Sequence, residues 1–163
     1  MVFNIVLPLR GAQLLFGVIV LGLSGYVANW YNVDTLTSSP SEVNFLIFVP
    51  LWSFITIGYI EGISRFVPKF YFPIAAVVLE VSNIMFYFGG FVALAVFLSR
   101  LLFCRGMVCA AARADTAFAS FGFVMWAATA AFTIRDFAKT GLVRRRSPAG
   151  LSGPAMKEAA MAA

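Results

Sequence analysis

The chain has 163 residues, 61% of them hydrophobic and 12% charged, with a net charge of +5 and no histidine. Soluble domains carry roughly 45–50% apolar and about 25% charged residues, and a chain this short has too little interior to hide the excess, so hydrocarbon must be its outer solvent. The missing imidazole excludes bis-histidine haem ligation, histidine metal sites and imidazole catalysis; the basic balance sits at the ends and connections of an oily chain, which points to anionic lipid and away from nucleic acid.

Four apolar runs follow in order: Gly11–Trp30, Val43–Ile60, Phe70–Ser99 and Thr116–Ile134. A membrane-crossing helix needs about 20 residues. The expected fold is therefore all-α: an integral membrane four-helix antiparallel bundle over residues 1–137. A basic tail, 138–163, follows and is expected to be disordered; beyond Arg146 it holds Ser147, Pro148, Gly150, Gly153 and Pro154. No internal repeat is present.

The first run has an early basic residue, Arg10, as a signal peptide does. Cleavage after Ala28 would place bulky Tyr26 where a small residue is required, so a retained span is expected, closed at the outer interface by Trp30 and Tyr31. In the second run Pro50 should bend the helix and free the carbonyl of Leu46. Phe70, Tyr71 and Phe72 open the third run at the inner interface, and Pro73 suits a first helical turn.

Glu80 interrupts the third run. Counting both ends, thirteen Ile, Leu, Phe or Val residues run from Phe72 to Val96, and at roughly −0.3 to −0.6 kcal/mol each they outweigh a central acid costing about +2.5 to +3.5 kcal/mol. Pro73, Ala76, Glu80, Asn83, Tyr87, Gly90 and Leu94 share one helical face, opposite Val78, Met85 and Val92. The polar face should turn into the bundle. An intramembrane polar cluster of Glu80, Asn83, Tyr87, Ser53 and Thr56 is expected, with Glu80 protonated or hydrogen-bonded to the hydroxyls of the second helix, since desolvation disfavours its charged form. Such an acid serves either as a relay or as interhelical glue; a single acid with no buried base favours glue. Small-residue pairs at Gly58 and Gly62, Gly89 and Ala93, and Ala127 and Ala131 are candidate helix-packing points, within the bundle or in a homo-oligomer.

Cys104 and Cys109 lie in the third connection, CRGMVC. A continuous helix would hold their Cα atoms roughly 8–9 Å apart, too far for a bridge, but Gly106 permits a turn. A disulfide and two free thiols both remain open, and a reversed orientation would make the pair palmitoylation candidates. Lys and Arg set the orientation. Arg10, Arg65, Lys69, Arg135, Lys139, Arg144, Arg145, Arg146 and Lys157 fall on one side, and Arg100, Arg105 and Arg113 on the other, so both termini should face the cytosol. Arg135, Lys139, Arg144, Arg145 and Arg146 are candidate contacts for anionic headgroups, at up to about 1 kcal/mol each. Ser147, just after three arginines, would oppose that attraction if phosphorylated.

Three stretches carry a resemblance: SPSEVNF at the entry to the second span, LEVSNIMFYFGGFVALA in the third, and CAAARADTAFASFGF leading into the fourth. Over about residues 8–137 the sequence resembles the fungal branch of the MARVEL-domain proteins, of the non-classical-export type. Asn44 after Val43, Glu80 with Asn83, and Cys104 with Cys109 match features of that family. The resemblance implies an M-shaped four-helix bundle with cytosolic ends. It also implies a non-enzymatic role in membrane microdomains, membrane apposition or vesicle traffic, at the plasma membrane or a secretory-pathway membrane, with partners among membrane lipids including sphingolipid or sterol-rich domains. A small ion or proton channel or transporter using Glu80, and an accessory subunit of a membrane complex, are the competing readings. No catalytic residue, metal site or cofactor is expected: no nucleophile–base pair, metal cluster or phosphate-binding glycine loop occurs in the sequence.

Overall fold

The structure, a computed structural model, describes residues 3–35, 37–63, 66, 72–100 and 106–146; for 3–6, 137 and 139–146 it describes the backbone alone. The elements are α1 (Phe3–Val33), α2 (Ser41–Ile57) continuing into a π-helical segment (Gly58–Ile63), α3 (Pro73–Arg100) and α4 (Met107–Arg146). All four helices are long and apolar enough to cross a membrane, over Leu7–Val33, Ser41–Ile63, Pro73–Arg100 and Met107–Asp136.

Each helix packs on its neighbour in sequence, and α1 packs on α4 to close the ring. Cross-links fix the directions. Ser24, late in α1, meets Asp115, early in α4. Leu46, early in α2, lies against Gly90, late in α3. Neighbouring helices are thus antiparallel. A single apolar core runs through the middle, with Val20, Leu46, Val49, Tyr87, Leu94 and Trp126 fully buried. Leu15, Val18, Ile55, Val78, Met85, Phe121 and Val124 project outward. In water such a surface would aggregate; in hydrocarbon it is the solvated side.

The entry to α2 shows why SPSEVNF is built as it is. Pro40 stands in an extended conformation at the helix start, and its carbonyl accepts from the N–H groups of Val43 and Asn44. The Asn44 side chain reaches back, accepting from the Ser39 hydroxyl at 2.6 Å and donating to the Ser39 carbonyl at 3.4 Å. Pro50 lies within α2, as expected, and Pro8 lies within α1.

Two boundaries differ from the sequence expectation. α1 begins at Phe3, so Arg10 is inside the helix and not at its flank. α4 begins at Met107 instead of Thr116, which takes Cys109, Arg113 and Asp115 into the helix. Both shifts have one cause. Arg10 and Asp115 look like flank and loop charges in the sequence, yet each finds a buried partner inside the bundle. At the other end α4 continues to Arg146, so residues 138–146 of the basic tail are helical where disorder was expected; residues 147–163, with Ser147 and Lys157, lie outside the described residues, as do Arg65, Lys69, Phe70, Tyr71 and Arg105.

Candidate functional site

On α3 the buried residues are Ala76, Glu80, Asn83, Tyr87, Gly90 and Leu94, while Val78, Met85 and Val92 are exposed. The polar stripe faces inward as its spacing requires; Pro73, at the end of the stripe, is exposed. Three of its side chains are polar: Asn83 and Tyr87 meet the α2 hydroxyls foreseen for the cluster, and Glu80 does not.

Glu80, fully buried, forms an ion pair with Arg10 of α1, itself only 4% exposed. The expectation of an acid without a buried base is therefore corrected, and so is its pairing with Ser53 and Thr56. The Arg10 guanidinium also donates to Gln13 Oε1 at 3.1 Å, lies 5.4 Å from the ring centroid of Trp126, and has its Nε 4.0 Å from Glu61 Oε1 in the π-helical segment. Gln13 carries the network to α4, donating to Thr129 Oγ1 at 3.0 Å and to the Met125 carbonyl at 3.3 Å. One arginine thus reaches all four membrane-crossing elements, directly or through one side chain. The i→i+5 turns of the π-helical segment widen the helix where Glu61 approaches.

The hydroxyls of α2 serve Asn83 instead. Ser53 donates to Asn83 Oδ1 at 2.6 Å, and Asn83 Nδ2 donates to Thr56 Oγ1 at 2.9 Å and to the Leu79 carbonyl at 2.9 Å. Tyr87 lies one turn further along, its hydroxyl 3.5 Å from Ser53 Oγ. Nearer the other end of the bundle Ser24 donates to Asp115 Oδ2 at 2.6 Å, with both residues buried. Glu80 Oε2, Arg10 Nε and Asp115 Oδ1 have no hydrogen-bond partner among the described residues.

Sequence reasoning missed Arg10, Gln13, Thr129, Ser24 and Asp115. Arg10 carried a readable signal: apolar residues, Ile5 to Leu9, precede it directly, and Gln13 follows at helical spacing. A flanking arginine does not stand inside an apolar run.

The candidate packing points behave differently again. A Cβ built on Gly58, Gly62 or Gly89 would meet nothing within 4 Å, so these glycines do not seat the neighbouring helices of their own bundle. Ala93 and Ala127 are half-buried and Ala131 is exposed. Close approach occurs at Gly17 against Phe54, Gly90 against Leu46 and Gly122 against Tyr87, where a built Cβ would come within 2.7 to 2.9 Å of the neighbouring side chain. The turn at Gly106 has φ of 93°, and α4 starts at the next residue. Cys109 is disulfide-bonded; Cys104 lies outside the described residues. Arg135 is exposed near the end of the fourth span, and the side chains of Lys139, Arg144, Arg145 and Arg146 are outside the described set.

No curated protein and no solved structure matches the chain. A family profile does: that of MARVEL, a membrane-associating domain, over residues 2–132. That stretch takes in all the paired polar residues described above and the whole of α1, α2 and α3. The chain belongs to the MARVEL family of membrane-associating domains.

Proposed function

We propose that the chain is a non-enzymatic organiser of membranes, working through the apolar outer surface of its four helices, with the buried polar residues acting as interhelical clamps. The observation that carries this reading is the Arg10–Glu80 ion pair. A relay acid needs a succession of exchangeable groups leading to both faces, whereas Glu80 is fully buried and held by a fixed cation, whose network runs to Thr129 and the Met125 carbonyl on one side and to the half-buried Glu61 on the other. Membership in a membrane-associating family supports the coarse role. Microdomain scaffolding, membrane apposition or vesicle traffic at the plasma membrane or a secretory membrane rests on the sequence resemblance to the fungal export-type branch. The cytosolic placement of both termini rests on the Lys and Arg distribution.

Reconstitution in liposomes tests the proposal. Fluorescently labelled protein should gather into clusters and slow lipid diffusion around them, and proton flux, followed with a trapped pH dye, should equal that of empty vesicles. Flux above that background that disappears in Glu80→Gln would replace the scaffold with the channel reading.

A further inference from the structure

A cavity of about 490 Å3 opens at the end of the bundle opposite Arg10, between the C-terminal turns of α1 and α3 and the N-terminal turns of α2 and α4. Its floor is made of buried Val27, Val43, Leu94 and Ala112. Its mouth carries Tyr26, Trp30 and Tyr31 from α1, with Phe97 opposite. The polar network of the inner end and the Ser24–Asp115 pair do not line it.

Three features define what would fill it. The volume falls within the roughly 300–1,000 Å3 of sites that take one small molecule. The floor is wholly apolar and lies within four membrane-crossing helices, so the occupant's body is apolar and comes from the bilayer. The mouth offers two phenolic hydroxyls and an indole N–H where α1 ends, the depth at which Tyr and Trp meet lipid headgroups. None of the described lining residues is charged. An anionic phosphate head would find no cation among them, while a neutral hydroxyl can both donate to and accept from tyrosine. The geometry points to a binding site for one neutral, hydroxyl-headed lipid, its apolar body on the Val27–Leu94 floor and its hydroxyl at Tyr26 and Tyr31. This holds whether or not the protein clusters, because it depends only on the cavity and the surrounding bilayer.

Photoaffinity labelling of the full chain in nanodiscs provides the test. Three diazirine probes are compared: a long-chain alcohol, a sterol and a phosphatidic acid. One or both of the alcohols should label peptides containing Tyr26 to Tyr31, Leu94 to Leu98 and Met107 to Ala112, and excess unlabelled alcohol should suppress that labelling. Which alcohol labels distinguishes a straight-chain from a polycyclic source. Leu98→Trp, which adds bulk to the cavity wall, should reduce the labelling about tenfold, equivalent to about 1.4 kcal/mol, and Val92→Trp on the lipid face should not. Equal or stronger labelling of the cavity by phosphatidic acid overturns the neutral-head assignment. Alcohol labelling spread over Val78, Met85 and Val92, without competition, overturns the site itself, and neither result depends on the folding of a variant.

Discussion

Asn83 shows how one amide can tie two helices together. It accepts from Ser53 and donates to Thr56 of α2; Thr56 in turn donates to the Trp52 carbonyl, and the Val49 carbonyl, 3.0 Å from Ser53 Oγ, can take the single Ser53 proton once Asn83 is gone. Asn83→Ala therefore removes bonds without orphaning the hydroxyls. Interhelical hydrogen bonds in bilayers average about 0.6 kcal/mol and reach about 1.7, so the expected loss is about 1–2 kcal/mol in unfolding from lipid micelles. Ser24 is the contrasting case. Its hydroxyl is the sole hydrogen-bond partner of Asp115 among the described residues. Ser24→Ala strands a buried acid and should cost about 1–3 kcal/mol, and adding Asp115→Leu should recover most of that loss. A double variant no more stable than Ser24→Ala would show that the pair is not what holds α1 to α4 there.

At the scale of the helix, close approach depends on which face carries the small residue. Gly89 and Gly90 are neighbours in sequence, yet a Cβ on Gly89 meets open space, whereas on Gly90 it would come 2.7 Å from the tip of Leu46 and on Gly122 2.8 Å from the ring of Tyr87. Leu46 ends in a flexible methyl; the Tyr87 ring is buried and held by its hydroxyl. Gly122→Ala should thus cost about 1–3 kcal/mol, as overpacking does, with a smaller loss for Gly90→Ala and little change for Gly89→Ala. Thermal unfolding in a fixed detergent ranks the three. The α3 stripe was legible because the bundle interior and lipid select different side chains at a spacing of 3 and 4 residues. The glycine contacts were not, since a GxxxG pattern records small residues without saying which neighbour they face. The start of α4 was hidden for a related reason: Arg113 and Asp115 read as loop charges until Ser24 supplies a partner for the acid. For the turn before α4, the bonded state of Cys109 leads us to propose a bridge to Cys104, the other cysteine of the chain. Intact mass after alkylation should show two added groups only after reduction.

For the molecule as a whole, hydropathy was enough to give four crossings and their antiparallel order, because the bilayer leaves helices few alternatives. The partner of Glu80 was not readable from depth, which pointed equally to Ser53 and Thr56; the ion pair joins residues 70 positions apart, on helices that are not neighbours in the ring. That diagonal link makes Arg10 and Glu80 the clamp on which the scaffold reading stands. The direct test is a double-mutant cycle in lipid micelles. Removing one partner of a buried pair costs about 3–5 kcal/mol because the other charge is stranded, whereas replacing both by apolar side chains is often neutral. Arg10→Met and Glu80→Leu should each destabilise by that amount, and the double variant should return close to the parent. Single variants that leave stability unchanged, or losses that simply add in the double variant, would contradict the clamp.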